Sequence, residues 1–309
     1  MLDEEFLDIL GCPVCRETLI DGPESLMCNG CGTKYAVKAG IPILRTHELL
    51  EREDIRVSQD KWSQHWNTWN WDAEHGAYRR ANLPFIYNHL LPVESGQWFL
   101  EVGGGPSYLC YEVSGLGLNV VSVDLDLNVL LKAKASFERN GRKGYFVCAS
   151  MNQLPFRSGI FDVSAGIGVL EHSRRIEDSL VELSRVAKED GRTFQTVPYL
   201  SLTTLVTGSI RFGTVPHFPV LGAIVWAVHG KVFKGMYMRC GYEESYSPRF
   251  LRRAFARAGF REVDVGFYDY DQAVCKRVPV IGRLAHHMMR LRCLGAMPFA
   301  DIAYIRARR

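Results

Sequence analysis

The chain has 309 residues, 47% hydrophobic and 23% charged, with a formal net charge of +3. That is enough chain for one full α/β domain plus a small module, with the apolar content of a water-soluble protein that has a sizeable core. The near-neutral total conceals an asymmetry: residues 1–60 hold 6 basic and 12 acidic side chains, 61–230 hold 15 of each, and 231–309 hold 16 basic and 7 acidic. The longest apolar run, Phe218 to Val228, is too short to span a bilayer. The opening MLDEEFLDIL lacks the basic-then-apolar pattern of a secretory leader, so a cytoplasmic location is expected. Of nine cysteines, four fall in the first 31 residues and the rest are scattered, which points to metal binding in a reducing compartment and away from a disulfide framework.

Residues 1–45 are expected to form a zinc ribbon. Cys12-Pro-Val-Cys15 and Cys28-Asn-Gly-Cys31 are two CxxC pairs, and each pair closes a tight turn that presents two thiolates to one tetrahedral ion. So short a unit has too little apolar area to fold alone, and a structural zinc would stabilise it by about 10–16 kcal/mol. Four thiolates leave no open coordination position, which excludes catalysis by this metal. LDILGCPVC and CNGCGTKYAVKAGIPIL resemble the small zinc-ribbon protein that activates several tRNA and protein methyltransferases. In that family the ribbon is a separate subunit; here it would be fused.

Residues 46–80 read as a linker and a tryptophan-rich helix. In KWSQHWNTWNW, Trp62, Trp66 and Trp69 recur at helical spacing and share one face. Such a stripe either packs on the next domain or forms an aromatic lid over a cofactor, with Tyr78 and Arg79 taking part.

Residues 81–309 are expected to form an α/β domain with a doubly wound, mostly parallel seven-stranded sheet. FLEVGGGPS reads as a buried strand, Gln97 to Val102, running into a glycine turn and a helix from Tyr108 to Leu116. A second strand, Asn119 to Leu125, carries Asp124 about 20 residues past the glycines, where a carboxylate binds a ribose diol. The alternation continues with a helix from Asn128 to Arg139, strands at YFVCA and FDVSAGIGV, a helix from Ile176 to Lys188 stopped by Gly191, and a strand at RTFQTVP. Strands alternating with helices imply a parallel sheet with ligands at the strand carboxyl ends.

This run resembles the class I methyltransferases that use S-adenosylmethionine, in their small-molecule branch. EVGGGPS is similar to the family's glycine loop at Glu101, Gly103 and Gly105; SVDLD, LPFRSGIFDV and VLEH follow in the family's order. The resemblance implies a cofactor set of Glu101, Gly103, Gly104, Gly105, Asp124, Leu125, Ser150 and Met151. Two positions depart from the family. Ser107 stands for the third glycine, where its hydroxyl is expected to cap nearby amides, and Ser150 stands for the acidic residue that receives the adenine amine, at a cost of about 1–3 kcal/mol in cofactor binding.

Methyl transfer from a sulfonium needs alignment, and a base only where the acceptor must lose a proton. His172 and His217 are the candidates, although a histidine in such a segment is more often a structural hydrogen-bonding residue. The apolar, aromatic insertion at about 199–247 is expected to receive the acceptor. Near the end, Ile281, Leu284, Met288 and Leu291 make one apolar helical face flanked by Arg283, His287, Arg290 and Arg292, which either packs on its domain or touches an anionic membrane surface.

The leading reading is a methyltransferase acting on a small, hydrophobic or lipid-linked acceptor, cytoplasmic or peripheral to the membrane. An RNA methyltransferase with the ribbon as reader is a second reading, which the net acidic ribbon disfavours; nucleic acid is not the expected partner. A non-catalytic binding protein that keeps the fold is a third, resting on Ser107 and Ser150.

Overall fold

The computed structural model describes residues 2–46, 53–68, 70–201, 214–228, 243–268 and 302–309. Trp69, most of the insertion and the whole of the 281–292 segment, with Arg283, Arg290 and Arg292, lie outside the described residues.

The head consists of helix α1 (Glu4–Ile9) and a four-stranded antiparallel meander, β1 (Leu19–Asp21), β2 (Ser25–Cys28), β3 (Lys34–Lys38) and β4 (Ile41–Pro42). Two helices follow, α2 (Glu53–Asn67) and α3 (Trp71–Leu90). Asn70 caps α3 by accepting a hydrogen bond from the Ala73 amide. Because α3 runs through residues 80 and 81, the linker and the large domain share a helix.

The large sheet contains β5 (Trp98–Val102), β6 (Asn119–Asp124), β7 (Tyr145–Cys148), β8 (Phe161–Ile167), β9 (Ala187–Pro198), β12 (Arg261–Tyr268) and β13 (Ile302–Arg308), in the spatial order β12-β13-β9-β8-β5-β6-β7. Pairings from β7 through β9 are parallel, and β13 is antiparallel to both neighbours. Helices α4 (Tyr108–Ser114), α5 (Leu127–Arg139), α6 (Ile176–Val186) and α8 (Pro248–Arg257) flank it. β5 and β6 are buried along most of their length, as a parallel sheet covered on both faces requires. The strand order reverses between β5 and β8, and the glycine loop lies beyond that switch point, where such sheets bind ligands. This is the doubly wound, seven-stranded architecture that the alternating pattern predicts.

Two local expectations are corrected. The helix from Ile176 ends at Val186, and Lys188 and Gly191 belong to β9. Ala187 is already extended (ψ 143°), and Lys188 Nζ reaches Asp162 at 2.8 Å, which holds the segment against β8. Gly191 is needed for close approach, because a Cβ there would lie 2.9 Å from the Lys188 and Phe161 carbonyl oxygens. Ser107, secondly, caps no amide with its side chain. It sits in the left-handed region at φ 58°, the conformation for which glycine is the unstrained residue, at a cost of about 1–2 kcal/mol. Its buried hydroxyl pairs with the Ser122 hydroxyl at 2.7 Å.

The head is docked on the sheet. Ile43 makes a parallel bridge to Cys148, and the Leu44 amide donates to the Cys148 carbonyl at 2.9 Å, so the chain leaving β4 extends the sheet past its edge strand β7. Phe6 of α1 stacks on Tyr145 with ring centroids 4.5 Å apart. Leu10 bridges Phe156, and the Arg16 guanidinium donates to the Leu154 carbonyl and pairs with Glu182 at 3.1 Å. The docked head thereby covers an edge that would otherwise present unpaired backbone to other chains.

Candidate functional site

A cavity of about 290 Å³ opens at the carboxyl ends of β5, β6 and β8. All eight residues of the expected cofactor set line it: Glu101, Gly103, Gly104, Gly105, Asp124, Leu125, Ser150 and Met151. The glycines are there for space and conformation. Gly103 (φ 58°) and Gly105 (φ 49°) are left-handed, and a Cβ on Gly103 would fall within the Val169 side chain.

Asp124 organises the loop. Its Oδ2 accepts a hydrogen bond from the Gly105 amide at 2.8 Å and its Oδ1 accepts one from the Asp126 amide at 2.9 Å. Each carboxylate oxygen keeps a further lone pair for a ligand hydroxyl. Burial pushes the Asp124 carboxyl up to about 6, against the lowering effect of the Asp126 and Gly105 amides. Glu101, fixed by the Cys110 amide at 2.8 Å, is pushed up to about 7, again chiefly by burial. Ser150 is buried, and its Oγ accepts from the Asn152 amide at 3.2 Å.

The roof of the cavity is aromatic. Trp62 and Trp66 of α2 stack with centroids 5.3 Å apart and line the cavity with Tyr78. The Lys132 ammonium holds the end of α2 by donating to the Trp66 carbonyl at 2.7 Å. Trp71 Nε1 donates to the Pro106 carbonyl at 2.8 Å and Tyr108 donates back to the Trp71 carbonyl, which ties the α2–α3 junction to the glycine loop. Trp62 and Trp66 thus line the cavity, as a lid requires. Arg79 is exposed and lies 3.7 Å from Glu112, so it takes no part in the lining.

The two histidines are separated. His172 lines the cofactor cavity, edge-on to Trp62 at 5.5 Å. His217 lies in a second cavity of about 230 Å³, with Nδ1 2.7 Å from Glu244 Oε1. Sequence reasoning missed Asn152, Gly168, Val169 and Ser173, which also line the first cavity. Gly168, at φ 66° directly after β8, is the one a pattern search for glycines at strand ends would have found.

The four cysteines of the head lie with their Sγ atoms within 4.8 Å of one another. Cys12 and Cys31 are 3.7 Å apart and Cys15 and Cys28 are 3.3 Å apart. Tetrahedral zinc–thiolate bonds of about 2.3 Å put sulfurs about 3.8 Å apart, so the cluster has the size that the ion needs. The Cys31 amide also points at Cys28 Sγ at 3.4 Å, a bond that supports a thiolate.

Comparison with known proteins agrees with this geometry. Residues 100–194 match the methyltransferase domain family. An uncharacterized methyltransferase of Mycobacterium tuberculosis is 35% identical over 96 residues, covering 31% of this chain and 37% of that protein. The malonyl-acyl-carrier-protein O-methyltransferase of Buchnera aphidicola is 32% identical over 104 residues, covering 33% of this chain and 40% of that protein. The chain thus spans well under half the length of these relatives. Among solved structures, an S-adenosylmethionine dependent methyltransferase of Mesorhizobium loti superposes with a TM-score of 0.53 at 16% identity, over 74% of this chain and 98% of that one. The large domain has the Rossmann-like methyltransferase fold. Among the described residues, no helix is long and apolar enough to cross a membrane.

Proposed function

We propose that the protein is an S-adenosylmethionine-dependent methyltransferase acting on a small, hydrophobic or lipid-linked acceptor, with a structural zinc in its fused ribbon. The observation that carries the reading is the convergence of the glycine loop, Asp124 and the post-β7 loop on one cavity under Trp62 and Trp66. In this reading Asp124 accepts hydrogen bonds from the ribose hydroxyls, and Glu101 with the Gly103–Gly105 backbone faces the methionine end. Ser150, lacking a carboxylate, receives the adenine amine with a hydroxyl alone.

When bound, the cofactor supplies an activated methyl group on a sulfonium. The chain's residues supply alignment and a dry site: the aromatic roof excludes water, and the glycine loop admits the ligand to backbone contact. In this reading His172, which lines the cavity, takes the proton from an acceptor that must lose one. His217, outside that cavity, is assigned to the acceptor side. In this reading an apolar acceptor, or a membrane surface touched peripherally, would meet helix α7 (Pro219–Ala227), where Val220 is 71% and Ile224 54% exposed.

The buried carboxylates imply a pH dependence. A cofactor that bonds to ionised Asp124 and Glu101 requires them deprotonated, so its affinity is expected to fall as pH drops through about 7 and about 6, by up to about tenfold per unit for each proton that must leave. Stability of the cofactor-free protein should run the other way. Because the folded state holds these protons more tightly than the unfolded chain, stability should decline as pH rises from the ordinary carboxylate range to about 7. Calorimetric titration and thermal melts across pH 5–8 check both slopes, and parallel slopes would contradict the assignment.

The reading is tested by incubating the protein with methyl-labelled cofactor and cell extract divided into lipid, small-molecule and RNA fractions. Label in the lipid or small-molecule fraction is expected. Label in RNA alone would favour the ribbon as a nucleic-acid reader, and no label with no cofactor binding would favour a non-catalytic protein.

A further inference from the structure

The second cavity lies immediately beyond the cofactor site along the chain: Ser173 lines the first cavity and Arg174 lines the second. Its floor is the short parallel pair β10 (Val215–Pro216) and β11 (Glu244–Ser245), and its wall is α7. Gly222 lets that wall come close, since a Cβ there would lie 2.6 Å from the Pro216 carbonyl oxygen.

Three polar groups face this otherwise apolar space. Arg174 lies with its guanidinium carbon 4.0 Å from the centre of the Trp226 ring, a cation–π contact between two residues that line the cavity. His217 is held through Nδ1 by Glu244, so its Nε2 edge is the one left to meet a ligand. Glu244 also accepts from the Tyr246 hydroxyl at 3.1 Å, so its charge is shared between two donors of the fold. Glu243, the neighbouring acid, accepts from the Thr214 hydroxyl at 2.7 Å and does not line the cavity. Glu244 raises the His217 pKa, which favours the imidazolium.

We propose that this cavity anchors the acceptor and that it takes an oxyanion, a carboxylate or phosphate, carried on an apolar chain. A guanidinium has five donors in a fixed fork, so Arg174 can grip an oxyanion while keeping its other contacts, and a charged imidazole adds a donor from the side. The apolar part of the ligand has continuous ground: Phe218, 62% exposed at the cavity mouth, leads onto α7, a helix without a charged residue. The assignment rests on the methyltransferase reading and adds to it the class of acceptor, an amphiphilic oxyanion held at one end while its other groups reach past Ser173.

The test is direct binding with short amphiphiles below their micellar range. Octanoate, octyl phosphate and the uncharged 1-octanol are titrated into the full chain by calorimetry, with and without S-adenosylmethionine. At least one anion is expected to bind tenfold or more tightly than octanol, and which one does so distinguishes carboxylate from phosphate. Arg174→Gln should reduce that preference to under threefold. Ala223→Leu, which fills the cavity, should weaken the preferred anion by tenfold or more if Arg174→Gln proves unfolded. Anions binding no better than octanol, a preference that survives Arg174→Gln in the folded chain, or an anion affinity unmoved by Ala223→Leu overturns the proposal. Cofactor binding, titrated separately, reports on the methyltransferase reading, so the two can fail independently.

Discussion

Replacing Asp124 by Ala is expected to lower affinity for S-adenosylmethionine by about ten- to a hundredfold, the loss of hydrogen bonds to a charged group. The substitution acts twice. It would remove the proposed acceptor for the ribose hydroxyls, and it frees the Gly105 and Asp126 amides that the carboxylate now fixes at 2.8 and 2.9 Å. Asp124→Asn separates the two effects, because the amide keeps an oxygen for one of these bonds while removing the charge. Calorimetric titration should therefore rank wild type above Asn and Asn above Ala. Asn and Ala affinities both within twofold of wild type would mean that this residue shapes the loop without touching a ligand.

Metal removal should have the larger effect on stability. Stripping the proposed zinc, or changing buried Cys28 to Ser, should take away a cross-link of the kind that contributes about 10–16 kcal/mol of apparent binding energy in comparable small sites. Two consequences follow from the docking of the head. The first is loss of the backbone extension past β7, made by Ile43 and Leu44 at Cys148, which would leave an apolar edge strand unpaired and prone to association. The second reaches the cofactor cavity. The Arg45 guanidinium donates to the Leu125 carbonyl at 3.1 Å, and Thr46 donates to Gln153, whose amide donates to the Pro13 carbonyl at 2.7 Å. Leu125 lines the cavity and Gln153 follows directly after its lining residues Met151 and Asn152, so an unfolded head should weaken cofactor binding several-fold and promote aggregation on heating. Metal analysis should give one zinc per chain. Less than half an equivalent after zinc-supplemented purification, or a melting temperature unmoved by chelation, would contradict the assignment.

The elements legible in the sequence were those whose constraint is local. Gly103 and Gly105 announce themselves because only glycine takes a positive φ without strain, and Asp124 because a carboxylate ending a strand at that spacing is the pattern of a nucleotide-binding sheet. Ser107 hides the same constraint: its φ of 58° is a glycine's, yet nothing in the letter says so, and the serine is accommodated by a partner, Ser122, fifteen residues away. The end of α6 was misplaced because Lys188 and Gly191 suit a helix terminus, whereas pairing with Asp162 and the backbone of β8 draws them into the sheet. The cysteine cluster could be read from spacing alone, but its docking could not, since Arg16, Arg45 and Gln153 find backbone partners far along the chain. The seating of His217 in the second cavity depends likewise on Glu244, twenty-seven residues away, and no local pattern encodes it.

The central claim is that the cavity beneath Trp62 and Trp66 holds S-adenosylmethionine, and a calorimetric titration of the unmodified, zinc-loaded chain at pH 7.5 tests it most directly. Saturable binding at one cofactor per chain, weakened when Trp66 is changed to Ala, is the predicted result. No heat of binding at millimolar cofactor, with the chain folded and its zinc in place, would contradict it.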